Sequence, residues 1–351
     1  MGLNEAIAAM GRSYNGFREF QASLVGAPHG RDGPRVPYTA RSPSRHHAMI
    51  TTSPDTFLDA FAALEPVAPA TARAAFLVAP SAFRLAEQSA SDNRYMDLAN
   101  VPDAARAMAQ HAALAERLRA DLPVVVFPGD AESPDGVFPN NVFATAPGRL
   151  IVGRMQHPVR QREASRTDIR TFFGDVLGYE EIDFSGCPDL VGELTGSIII
   201  DRARRVGFCG LGQRCNAAGA EAMHKAFDLE LTFCFDLAEG EYHTNVVMAL
   251  LASRAVVLAA DGFADPTAPT AIARAYADRA LWLSPAQKAA FAGNAITLAE
   301  DRVWMSARGA DSLTAGQREQ LSDWEFDIGS AELGEIEKAG GSLRCCVAEI
   351  F

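Results

Sequence analysis

The residues most able to do chemistry lie at the end of the chain, in Gly340-Gly341-Ser342-Leu343-Arg344-Cys345-Cys346-Val347-Ala348-Glu349-Ile350-Phe351. A thiolate is a strong nucleophile, and the Arg344 cation beside Cys345 favours that form. The two glycines let the backbone approach a ligand closely. A cysteine pair also packs well as small hydrophobes. The nucleophile reading therefore needs an imidazole supplied from elsewhere in the chain.

Three further polar clusters interrupt apolar runs. The first holds Asp130 and Asp135, then Val137-Phe138-Pro139-Asn140-Asn141. The second is Gly192-Glu193-Leu194-Thr195-Gly196-Ser197, and the third is Tyr242-His243-Thr244-Asn245. Each has a plain reading too: a Pro-Asn turn, a solvated glutamate, a packed or surface histidine. Jointly they supply a thiol, an imidazole and a carboxylate, the parts of a Cys-His-Glu hydrolytic or transfer site. Asparagine side chains add groups that both donate and accept towards a planar ligand. Gly210-Leu211-Gly212-Gln213-Arg214 has glycines that could cradle phosphate, yet lacks the spacing and lysine of a P-loop.

The elements that must carry these clusters recur along the chain. Apolar strands are expected at 74–78, 123–127, 136–138, 149–152, 181–184, 197–201, 205–208, 229–235, 245–248, 255–258, 296–299, 302–305 and 346–350. Helices are expected at 102–119, 163–177, 216–226, 285–291, 314–324 and, capped by Ser330, 330–338. A hairpin followed by a helix and another strand repeats about five times, an α/β pattern. Blades or quasi-repeats fit it better than one doubly wound sheet, and a three-layer sandwich fits nearly as well. Every polar cluster falls at a strand end, where a propeller-like fold brings residues to a common axis.

Composition sets the frame. The chain of 351 residues is 48% hydrophobic and 22% charged, as a globular protein is. Its net charge of −12 argues against nucleic acid or an anionic membrane as partner. No apolar run is long enough to span a bilayer. The six cysteines contain no C-x-x-C pair, which disfavours zinc. With no secretory signal, reduced thiols and a cytoplasmic location are expected. Residues 1–48 carry six Arg against three acidic residues and are rich in Gly and Pro, so a disordered extension, or a start of translation at Met49, is expected. Residues 49–351 then form a single catalytic domain. A homodimer fits the apolar helix faces as well as a monomer does.

Together these segments resemble the guanidine-modifying, or pentein, superfamily of amidinotransferases, arginine deiminases, dimethylargininases, succinylarginine dihydrolases and citrulline hydrolases. Gly-Gly-x-x-Arg-Cys near the end is the most specific element. The resemblance implies a five-bladed α/β propeller with pseudo-fivefold symmetry and a central active site. It implies Cys345 as nucleophile, His243 as general acid and base, and Glu193 as the group that hydrogen-bonds substrate nitrogens. Arg214, and Arg160 in Pro158-Val159-Arg160, resemble segments that hold a substrate's α-carboxylate. Asp135, Asn140, Asn141 and Asn245 would contact an arginine-like small molecule, with no metal and no cofactor. Cys346 is left to packing. Deiminases usually place aspartate where Asn141 stands, and many have His-x-Asp where this chain has His243-Thr244-Asn245. Asparagine suits a neutral ureido group, whereas Glu193 with Asp135 or Asp130 would balance a guanidinium. The resemblance implies a hydrolase first, an amidinotransferase second and a non-catalytic binding protein third.

Overall fold

Apolar runs of three to six residues form the strands, and they pair within repeats rather than across one wide sheet. The computed structural model describes residues 48–81 and 83–351. The extension expected over 1–48 lies, but for Ala48, outside the described residues. Five small sheets follow one recipe: an antiparallel pair, a hairpin in four of them, then a helical crossover and a third strand parallel to the pair's second.

The first sheet joins Phe143–Ala146 to Arg149–Val152 and then Glu180–Asp183. Gly148, at φ +72°, makes its tight turn, a conformation that disfavours any side chain. The second joins Ile198–Asp201, Val206–Leu211 and Leu231–Asp236, with Met49–Thr51 added in parallel at its edge. The third and fourth join Met248–Leu251, Ala255–Leu258 and Ala280–Trp282, then Ile296–Ala299, Arg302–Ser306 and Asp327–Ala331. The fifth closes the chain on itself: Ala348–Ile350 pairs with Ala74–Val78, which runs beside Val124–Phe127.

The crossover helices bury one stripe against their sheets. In Ala104–Leu118 the buried positions are Ala107, His111, Leu114, Ala115 and Leu118, the three- and four-residue spacing of an amphipathic helix. Asp103 caps it by accepting from the amides of Ala105 and Arg106. Leu114 and Leu118 pack in one core with Ala75, Leu77 and Cys346.

Four expectations are corrected. Residues 136–138 are a turn rather than a strand: Phe138 N donates to Asp135 O at 2.9 Å, and prolines at 134 and 139 bracket the segment. Ser330 lies in a strand, opposite Met305, so the last long helix shrinks to Gly334–Glu337. The helix expected over 163–177 divides into a 3₁₀ turn, Thr167–Thr171 and a π segment. Asn245 sits on a helical turn, Thr244–Val247, ahead of its strand.

Candidate active site

The first strand of each hairpin is entered from a polar segment, in four repeats through a single helical turn. These turns are Pro139–Asn141, Leu194–Ser197, Thr244–Val247 and Leu343–Cys346. Glu193 and His243 stand at the N-cap positions of the second and third. In the fourth repeat Gly293-Asn294 precedes Ile296–Ala299. Leu194 takes a φ of +32°, a strained value for a branched side chain, directly after Glu193.

A relay of hydrogen bonds links the repeats in order. Thr195 Oγ1 donates to Asn140 O at 3.1 Å, and Asn245 Nδ2 donates to Thr195 O at 3.3 Å. Asn294 Nδ2 donates to Asn245 O at 2.8 Å and lies 3.2 Å from Cys345 Sγ. Cys345 N completes the series, 3.4 Å from Asn294 Oδ1. Asn245 Oδ1 is 3.7 Å from the same sulfur. Asn245 therefore holds the thiol. Asn294, which the sequence reading passed over, holds it more closely.

His243 Nε2 lies 2.8 Å from Glu193 Oε2, and both side chains are fully buried. Gln156 N donates to Glu193 Oε1 at 3.0 Å, and Arg214 Nη1 is 3.5 Å from Glu193 Oε2. Burial pushes the Glu193 carboxyl up, but Arg214 and the hydrogen bond with His243 outweigh it and hold the pKa at about 2. The carboxylate assigns the Nε2 proton to the ring, which leaves Nδ1 as the basic nitrogen. Nδ1 is buried without a partner. Burial moves His243 below its ordinary value, with Glu193 opposing. Burial also raises the Cys345 thiol, against the hydrogen bonds from Ser342 and Asn294 and the pull of Arg344. Thiol and imidazole thus rest in their neutral forms.

Gly196 has no room for a side chain. A Cβ there would lie 2.6 Å from Asn141 Oδ1 and 2.9 Å from His243 Nε2. The Gly340-Gly341 pair allows a similar approach: Gly340, at φ +72°, abuts Asn93, and Gly341 abuts the Phe138 ring. Arg344 turns from the sulfur towards Glu349 Oε2 at 2.8 Å and Val347 O at 2.7 Å.

Cys345 lines a small cavity with Asn141, Asp135, Arg160, Arg214, Tyr242, Ser89 and Asn93. Asp135 Oδ2 accepts from Ser89 Oγ at 2.5 Å, whereas the buried Oδ1 has no partner. Asn141 Oδ1 is likewise buried and unpartnered, and Asn140 has neither amide atom engaged. Arg160 is clamped on Glu163 at 2.8 and 2.9 Å and donates to Phe138 O at 3.0 Å, so it braces the turn carrying Asp135. Arg214 meets Asp92 through Nε at 3.0 Å and Nη2 at 2.5 Å. Asp92, on the loop after Ala74–Val78, also lies 3.1 Å from His157 Nε2. Arg214 thus grips a carboxylate that belongs to the protein itself, a partner that carried no sequence signal. Asp130 stands apart, accepting from Glu132 N and Ser133 Oγ. Among the described residues no group of three or more His, Cys, Asp or Glu is set to hold a metal ion. No described helix is long and apolar enough to cross a membrane.

Five repeated α/β units with a thiol and an imidazole-carboxylate pair at their strand entrances place the chain in the pentein guanidine-modifying superfamily. Within it the chain belongs to the N,N dimethylarginine dimethylhydrolase family, whose eukaryotic sequence model matches residues 79–351. The uncharacterized protein YkgA of Bacillus subtilis (strain 168) is 24% identical over 255 residues, 69% of this chain and 79% of that one. The N-terminal domain of ArgZ, an arginine dihydrolase of Cyanobacteria solved with bound substrate, superposes with a TM-score of 0.69 at 20% identity, covering 79% of this chain and 97% of that one. A dimethylarginine dimethylaminohydrolase solved as its adduct with S-methyl-L-thiocitrulline gives 0.60 at 19% identity, covering 80% of this chain and all of that one.

Proposed function

We propose that this protein hydrolyses the guanidino group of an arginine-derived amino acid through a covalent bond to Cys345. The observation that carries the reading is Asp135 Oδ1, a buried carboxylate oxygen without a partner in the cavity that Cys345 lines. Asp135 makes no ion pair among the described residues, and its free oxygen suits a positively charged donor. A guanidinium supplies that charge and a neutral ureido group does not. Family membership and the substrate-bound arginine dihydrolase point the same way. In this reading residues 49–351 are one catalytic domain, its five sheets set as the blades of a propeller about the cavity.

The guanidinium enters beside the neutral thiol, and its charge favours the thiolate. The thiol proton passes to His243 Nδ1, the sulfur attacks the central carbon, and the terminal amine leaves with that proton returned from Nδ1. Glu193 holds the ring and stabilises its charged form. His243 Nδ1 then takes a proton from water, the hydroxide adds to the thiouronium carbon, and the C–S bond breaks. The products are the ureido amino acid and an amine, with the thiol restored. Arg214 receives the substrate's α-carboxylate once Asp92 withdraws, and Asn141 faces the planar group.

Release of ammonia or alkylamine from arginine, N-methylated arginines, N-acylated arginines, citrulline and agmatine tests this reading. Turnover of a guanidino substrate bearing a free carboxylate is expected, with little from agmatine and none by Cys345→Ser. Full activity in Cys345→Ser would refute the mechanism, and turnover of citrulline alone would refute the cationic substrate.

A further inference from the structure

A second cavity opens further along the inner strands, beyond the catalytic turns. Its lining includes Arg202, Arg344, Glu349, Ser253, Thr195 and Thr297. The charges do not balance. Arg344 is paired with Glu349 at 2.8 Å. Arg202 donates to Thr145 O at 3.1 Å and lies 4.0 Å over the Phe351 ring, but makes no ion pair among the described residues. The neighbouring Arg204 is already matched by Asp201 at 3.1 Å. One cation is left over. Burial holds Arg202 down at about 10, Glu349 lifting it and Arg344 opposing, as expected of a guanidinium short of an anion. Ser253 gives the second sign. The residue is 8% exposed, and Oγ has no partner among the described residues. Water would satisfy that hydroxyl but would leave the charge uncompensated.

We propose that this cavity binds a small carboxylate of single negative charge between Arg202 and Ser253, and that its occupancy restrains Cys345. The coupling is short. Arg344 immediately precedes Cys345 on the same helical turn, and its positive charge is one of the influences that lower the thiol's pKa. An anion drawn to this pair of guanidiniums offsets that influence. Thr195 and a further lining residue, Ala295, adjoin Leu194 and Asn294 in the polar segments around Cys345.

Acetate serves as the probe, titrated at constant ionic strength against chloride, with phosphate in a parallel arm. The readouts are melting temperature and the rate of Cys345 alkylation by iodoacetamide, read on the Cys345 peptide by mass in Cys187→Ser protein, because Cys187 is an exposed thiol. The alkylation measures thiol chemistry and needs no turnover, so it stands apart from the proposed hydrolysis. In the wild type acetate should raise the melting temperature saturably and slow alkylation at least about twofold, the direction set by a negative charge that offsets Arg344 beside the thiol. Arg202→Met and Ser253→Ala should each weaken both responses while binding of arginine to Cys345→Ser is kept. If Arg202→Met misfolds, Ser253→Ala carries the test alone. An unaltered acetate response in folded variants overturns the proposal, as does acetate displacing arginine competitively from Cys345→Ser. A response to phosphate but not to acetate overturns the carboxylate assignment.

Discussion

Replacing Asn294 by alanine removes the amide that lies 3.2 Å from Cys345 Sγ. A hydrogen bond to a charged acceptor contributes about 1.5–3 kcal/mol. Losing it disfavours the thiolate by that amount, which raises the thiol's pKa by roughly one to two units. Burial already holds this thiol above its ordinary value, so the change adds to the rise. At neutral pH the thiolate fraction, and with it the iodoacetamide alkylation rate, should fall roughly 10- to 100-fold. Turnover should fall at least as far. The same amide donates to Asn245 O at 2.8 Å, so stability should drop by about 1–2 kcal/mol, visible in urea melts. The assay follows alkylation of the Cys345 peptide from neutral to alkaline pH by mass, in Cys187→Ser protein and scoring only folded protein. Asn294→Asp sharpens the test: its carboxylate keeps the shape, cannot donate when ionised, and sets a negative charge beside the sulfur, so its inflection should move at least as far. An inflection that stays in place or moves down in Asn294→Ala would refute the role given to Asn294.

Four further outcomes are expected. Cys346→Ala should keep the nucleophile and cost about 1 kcal/mol in a denaturant melt, the price of a small buried void. Asp92→Asn should lower the KM for arginine several-fold with kcat little changed and leave agmatine unaffected, because Arg214 is freed only for a substrate carboxylate. Glu193 and His243 both have folded pKa values below their ordinary ones, so each contributes stability that is full above the ordinary value and lost as pH falls. The Glu193 part should disappear between about pH 4.5 and 2, and acid melts of Glu193→Gln should lose that limb. Gly196→Ala should destabilise by about 1–3 kcal/mol and depress kcat more than it shifts KM, since its Cβ pushes Asn141 and His243 off their positions.

Cys345, His243, Glu193 and Asn141 stood out as candidates because each is a polar residue forced into an apolar run; the fold places Cys345 and Asn141 in one cavity and pairs His243 with Glu193. The strand at 74–78 and the helices over 102–119 and 216–226 were legible from periodicity alone, within two residues at either end. Asn294 was not, since Gly293-Asn294 looks like any turn and only its place in the fourth repeat distinguishes it. The partners of the arginines were hidden for another reason. Glu163 lies three residues from Arg160, a common helix-surface spacing, and Asp92 lies 122 residues from Arg214. Pairing over such distances is decided by tertiary packing. Residues 136–138 misled because Val137 and Phe138 are buried as strand residues would be, yet they sit in a proline-bounded turn.

The relay from Asn140 through Thr195, Asn245 and Asn294 to Cys345 also bears on when the protein becomes reactive. Each repeat's donor needs the carbonyl of the repeat made before it, and the sulfur comes last. A chain interrupted before residue 343 can build four of the five polar segments yet lacks Cys345. The same closing stretch supplies Ala348–Ile350, the partner of Ala74–Val78. The thiol of Cys345 and the sealing of the fifth sheet therefore arrive together.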